Sequence, residues 1–248
     1  MIMAIRQRHL LLVLLLAPLL LVTLFPVLLP SALADPPGAG ITYNLTETPT
    51  SASAGASTTA GGSFTTLVLN ATTQTPKWKA FVGNVTGSFS LRDASNVSIY
   101  AWGDAFTGGE VYASRDASPD WSGLLCANAA AMSGEENYLN MTPGAADNIT
   151  ATFNESVHRE FYAGTTHFAQ NVCPAIATYV GGVEQTNGVN NVFQEVLLRD
   201  STDSLIWTAL IDPDTLGYNN RAFDFQMIVA EDQYSDTGNT YYFWLELS

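Results

Sequence analysis

Apolar and polar residues alternate along most of this chain with a period of two, the pattern of strands whose two faces meet different surroundings. The alternation predicts strands at Ile41–Thr46, Phe64–Thr72, Trp78–Arg92, Val97–Trp102, Glu110–Ser114, Ile149–Val157, Val192–Arg199, Leu205–Ile211, Phe223–Ala230 and Tyr241–Leu247. Clusters of Asp, Ser, Asn and Gly lie between them and supply turns. Only Leu124 to Met132 reads as helical, giving one short helix near 124–132. The expected fold class is all-β, an antiparallel, Greek-key-like β-sandwich rather than a parallel sheet with crossover helices.

The pattern changes toward the C-terminus. Val192–Arg199, Leu205–Ile211 and Tyr241–Leu247 place large apolar residues on both faces, with Tyr242 and Trp244 opposite Tyr241, Phe243, Leu245 and Leu247. Such strands are covered on two sides, by the rest of their own chain or by a neighbour. A ten-residue wording also occurs twice, at Leu91–Tyr100 and Leu198–Trp207, each a strand, an Asp-led turn and a strand ending in an aromatic. Turn chemistry alone accounts for the convergence, and duplication of a Greek-key half is the sharper reading.

The N-terminal third is built differently. Arg6, Arg8 and His9 precede an apolar run from Leu10 to Leu29, and Ala32-Leu33-Ala34 offers a small-residue cleavage site before Asp35. Residues 1–34 therefore read as a cleaved signal peptide, with Pro18, Pro26 and Pro30 arguing against a membrane anchor. Residues 35–63 read as an N-terminal strand and a Ser/Thr/Ala/Gly-rich linker that cannot build a core, and residues 64–248 as the β-sandwich domain. The expected location is extracellular or at the cell surface, with no membrane contact in the mature form.

Export gives meaning to the Asn-x-Ser/Thr sequons at Asn44, Asn70, Asn84, Asn96, Asn140, Asn148 and Asn154, after which there are none. Strand parity places Asn84 opposite Phe81, Val85 and Phe89, and Asn44 opposite Ile41, Tyr43 and Leu45. The same reasoning turns Asn96, Asn148 and Asn154 outward, whereas Asn70 shares its face with Val68. Covalent N-glycans are thus expected over the first two-thirds. The other consequence of export is an oxidising compartment, in which Cys126 and Cys173 form one disulfide. On a chain-entropy argument that bridge contributes roughly 4 kcal/mol.

A formal charge of −14, with Lys77 and Lys79 the only lysines, excludes nucleic acid and anionic membrane as partners. No Gly-x-Ser-x-Gly, His-Glu-x-x-His, phosphate loop or dinucleotide fingerprint is present, so no catalytic residue and no bound cofactor is assigned. His158 and His167 read as ordinary surface or loop histidines. The acidic loops Asp212–Asn219 and Glu231–Asn239 hold oxygen ligands of the kind calcium takes, though neither fits an EF-hand. Tyr100, Trp102, Tyr242 and Trp244 suit either stacking on sugar rings or plain cross-strand packing.

The segments Lys77–Gly87, Gly109–Arg115, Cys126–Asn128 and Tyr241–Leu247 resemble a group of exported, mostly archaeal, cell-surface β-sandwich proteins. The resemblance covers most of the chain beyond the leader and implies a cell-surface setting. It brings no activity, substrate or site residue with it.

The reading expected from these features is a non-enzymatic, glycosylated extracellular structural protein that associates with identical subunits in a surface filament or sheath. Ile41–Thr46 is the segment that could add as a strand to a neighbour's sheet edge. The alternatives are a cell-envelope carbohydrate-binding module or glycoside hydrolase, and a calcium-dependent adhesin.

Overall fold

The structure is a computed structural model that describes residues 35–48, 56, 58, 61, 64, 66, 75–87, 89–102, 106–232, 234 and 238–248. The leader, most of the linker, most of the strand expected at 64–72 and the sequon at Asn70 lie outside the described residues. Strands β1 (Trp78–Gly83), β2 (Ser90–Arg92), β3 (Ser98–Ala101), β4 (Gly109–Ser114) and β5 (Leu125–Cys126) come first. Helices α1 (Ala129–Tyr138) and α2 (Ile149–Thr152) follow, then β6 (Phe161–Ala163), β7 (Thr166–Phe168), β8 (Ala175–Ala177) and β9 (Gln194–Arg199). The chain closes with β10 (Leu205–Leu210), β11 (Thr215–Leu216), β12 (Ala222–Phe223), β13 (Phe225–Ala230) and β14 (Tyr242–Leu247).

Strand pairing among the described residues is antiparallel throughout, so the fold is all-β as the alternation predicted. A six-stranded sheet forms the centre, in the order β14-β4-β10-β9-β5, with β8 sharing the outer side of β9. The two-sided strands are its middle and one of its edges. On β9 and β10, Leu197, Leu205, Trp207 and Ala209 enter one buried cluster, while Val196, Leu198, Ile206 and Leu210 enter a second on the opposite face. The first face is covered by the β1–β13 pair and both helices through Trp78, Phe81, Met227, Met132, Leu139, Ile149 and Phe153. The hairpin β6–β7 covers the second through Phe161, Ala163 and Phe168.

Several elements depart from the expectation. The helix expected at 124–132 starts later, because Asn128 caps it by accepting the Ala131 amide at 2.8 Å, leaving Leu125–Cys126 free to pair with β9. The strand expected at Ile149–Val157 is instead a helical turn capped by Asn148, whose Oδ1 accepts the Ala151 amide at 2.7 Å. Trp78–Arg92 breaks into two strands at Asn84–Gly87, where Val85 donates its amide to Asp224 and a Cβ on Gly87 would collide with Leu247. Residues 41–48 are not a strand of this domain at all, and each of them is exposed.

Cys126 and Cys173 form the expected disulfide across 47 positions of sequence. Cys126 pairs with Leu198, while Ala175 pairs with Val196 and Pro174 accepts the Leu197 amide, so the bridge joins two segments laid along one side of β9. Because that pairing keeps some order after reduction, breaking the bridge is expected to lower the unfolding free energy by about 3 kcal/mol. Denaturant titration of the reduced against the oxidised protein measures it, and equal midpoints would contradict it.

Candidate assembly interface

Residues 37–39 fasten the N-terminal segment to the central sheet. The Ala39 amide donates to the Phe243 carbonyl at 2.8 Å and the Leu245 amide to the Pro37 carbonyl at 3.1 Å, which lays residues 37–39 antiparallel along the outer side of β14. Among the described residues, the pairing does not continue beyond Gly40. Ile41, Tyr43 and Leu45 are 68, 79 and 65% exposed, although their spacing gives a strand one fully apolar face.

A second exposed apolar surface is the hairpin β2–β3, a two-stranded sheet with no strand neighbour on either edge among the described residues. Leu91 lies opposite Tyr100, and the Trp102 amide donates to the Phe89 carbonyl at 2.9 Å, so these four side chains share one face. The Tyr100 and Trp102 rings meet edge to face at 4.9 Å, and a shallow cavity of about 510 Å³ is lined by Phe89, Ser90 and Trp102. Val97 and Ile99 are exposed as well.

This hairpin carries the first copy of the repeated wording, and its turn is built like that of the second, β9–β10. Asp93 Oδ1 accepts the amides of Ser95 and Val97, both at 2.9 Å, and Asp200 Oδ1 accepts those of Thr202 and Ser204 at 2.8 and 3.0 Å. The left-handed position falls on Asn96 (φ 65°) and Asp203 (φ 66°), and each side chain receives the arginine four residues earlier, Arg92 or Arg199. The likeness ends at a bulge between Leu91 and Arg92. What differs most is the surroundings: Leu198, Ile206 and Trp207 are fully buried, whereas Leu91, Ile99 and Tyr100 stand in the open.

The sequon asparagines are placed unevenly. Asn44, Asn84, Asn96, Asn140 and Asn154 are exposed. Asn140 has φ 54° just past α1, and its side-chain amide donates to Asp232 at 3.0 Å. Asn148 is the correction: it is only 4% exposed, because the helix start at α2 takes it inward as a cap instead of outward on a strand.

One pair of carboxyl groups is internal. Glu110 and Glu246 face each other across β4 and β14, where Glu246 Oε2 accepts the Tyr112 hydroxyl and the Gly164 amide, each at 2.8 Å. Burial, reinforced by the Glu246 charge and only partly offset by Arg159, pushes the Glu110 carboxyl up to about 8. The same burial and the two carboxylates raise the Tyr112 hydroxyl far above its usual range, so it serves as a donor. Through the Gly164 amide Glu246 reaches the turn of the β6–β7 hairpin.

His158 is not a surface residue. It is fully buried, with Nδ1 against the Arg159 carbonyl at 2.7 Å and Nε2 accepting the Val172 and Cys173 amides at 3.2 and 3.0 Å. Burial lowers its pKa and keeps the ring neutral beside the disulfide. His167 is exposed and lies 3.4 Å from Glu160. In the acidic loops, Asp212 pairs with Arg159 at 2.9 Å and accepts the Phe193 amide, while Glu231 accepts from Asn239. Among the described residues no group of three or more His, Cys, Asp or Glu is placed to hold a metal ion. Trp244 is buried edge to face against Trp121 at 5.2 Å, which leaves Tyr100, Trp102 and Tyr242 as the exposed members of the aromatic set. Among the described residues no helix is long and apolar enough to cross a membrane.

Comparison with protein-family models, with curated proteins and with solved structures finds no match to this chain.

Proposed function

We propose that this protein is a structural subunit of the cell exterior, glycosylated on its exposed sequons, that assembles with identical copies into a filament or sheath by donating residues 41–46 as a strand. The observation that carries the reading is the detachment of that segment. It follows directly on three residues held to β14, it has the alternation of a half-buried strand, and none of its apolar side chains is buried in its own domain. Exposing three such side chains in series forgoes several kcal/mol that a receiving sheet would return, at roughly 1.5–3 kcal/mol for each large side chain fully covered.

The triple substitution Ile41→Ser, Tyr43→Ser, Leu45→Ser tests this, because it touches no core contact. Electron microscopy and sedimentation are expected to show ordered polymers for the unaltered protein and monomers for the variant, with unfolding midpoints unchanged. Polymers from the variant at the unaltered protein's yield would sink the reading.

A further inference from the structure

We propose that the receiving surface is the hairpin β2–β3 of a second copy of this chain, which residues 41–46 extend as a third strand. The inference rests on the strand-donation reading above and supplies its missing half.

Composition is the first argument. The twin turns close two hairpins alike, of which β9–β10 is clad on both faces and β2–β3 is left bare. Leu91, Tyr100 and Trp102 remain 53, 56 and 65% exposed, and they share one face of the hairpin instead of being scattered. Two short strands alone are marginal in water, and a third strand is the smallest addition that makes such a unit stable. Residues 41–46 offer that strand, with one apolar face to match.

Direction is the second argument, and it selects a second copy over the same chain. Residues 37 and 39 pair with Leu245 and Phe243 in that order, so the segment advances toward the Tyr242 end of β14. The hairpin is rooted at the other end: Gly87 packs on Leu247, and the amides of Thr107 and Gly108 donate to the Ser248 carbonyl at 2.9 and 3.1 Å. From Phe243 to Leu247 is about 13 Å at the rise of a strand, and each residue after Gly40 that continues the line lengthens the gap. Donor and acceptor therefore leave opposite ends of one strand. A contact between unlike patches at opposite ends is heterologous, and repeating it gives an open chain of subunits instead of a closed pair.

Charge is the third. Copies of a chain with formal charge −14 repel one another, yet residues 36–46 carry no charged side chain and residues 89–102 carry only Arg92 and Asp93, which cancel. These two surfaces meet with the least electrostatic opposition.

The test is complementation between two variants of the full chain. The donor-dead variant is the serine triple above; the acceptor-dead variant carries Leu91→Ser, Tyr100→Ser and Trp102→Ser, all at exposed positions, and near-wild-type melting of each confirms folding. Each alone is expected to sediment as a monomer. Mixed in equal amounts they are expected to form a heterodimer of doubled mass and nothing larger, because one intact donor meets one intact acceptor. A monomeric mixture overturns the hairpin assignment, as does an acceptor-dead variant that still polymerises, including one that has lost only binding to soluble oligosaccharides. Those results leave strand donation standing, whereas a donor-dead variant that polymerises removes both. Disulfide closure between Tyr43→Cys and Tyr100→Cys within a single dilute chain would assign the hairpin to its own N-terminal segment and overturn the second copy.

Discussion

Lowering the pH from 8 to about 4.5 is expected to stabilise this protein, because Glu110 takes up a proton in the folded chain before it does in the unfolded one. In the folded chain burial holds that carboxyl at about 8, and in the unfolded chain it returns to 4.5. Between those values the folded state keeps a proton that the unfolded state releases, so the unfolding free energy falls as pH rises through the window. Below the lower value both states hold the proton and the contribution is fully present; above the upper one it is lost. The span corresponds to something on the order of 4 kcal/mol. Glu195, completely buried with one oxygen on the Ile228 amide, is raised for the same reason and adds in the same direction. Asp147 opposes them, since bonds from Thr75 and Lys77 hold it low and its contribution is lost only on strong acidification. Thermal melts between pH 4.5 and 8 measure the slope. Glu110→Gln, which cannot ionise, is expected to flatten it and to be more stable than the unaltered protein at pH 8; an unchanged slope would show that Glu110 does not carry it.

The other large effect is expected at Trp207, where alanine should cost about 4 kcal/mol. The side chain is fully buried on β10 and meets Trp78 of β1 at 5.8 Å and Phe153 at 5.6 Å, both edge to face. Those three rings join the central sheet to the β1–β13 pair and to the segment after α2, so a void there loosens two contacts between layers. Trp207→Phe separates volume from polarity. The indole nitrogen finds no partner among the described protein atoms, so phenylalanine sheds a buried donor as it loses volume and is expected to cost only about 1 kcal/mol. Denaturant midpoints of both variants check the order, and phenylalanine proving as costly as alanine would contradict it.

The central sheet was legible in sequence because its strands announce burial on both faces: no solvent-facing pattern competes at Leu197-Leu198 or Ile206-Trp207. The segment at 149–153 was not, because Ile149 and Phe153 satisfy two periods at once. They stand four apart on one helix face and also at even spacing on a strand, and only the Asn148 cap decides between the two. The hairpin β6–β7 carries a readable signal in Gly164-Thr165, a two-residue turn between Ala163 and Thr166 with Gly164 at φ 57°. Nothing local in the sequence announces His158, whose partners lie 14 and 15 positions away. Of the proposed interface, the donor was visible as an alternating stretch. The acceptor was hidden because a strand pattern cannot tell a covered hairpin from a bare one.

Asn148 turns a question of location into one of timing. Its side chain is shut inside the start of α2, with no room for a sugar once that turn has formed. Modification there must precede closure of the helix and would then obstruct it, so the two events compete for one residue. The exposed sequons are under no such deadline, and occupancy there would record access alone; occupancy at Asn148 would record which process was faster.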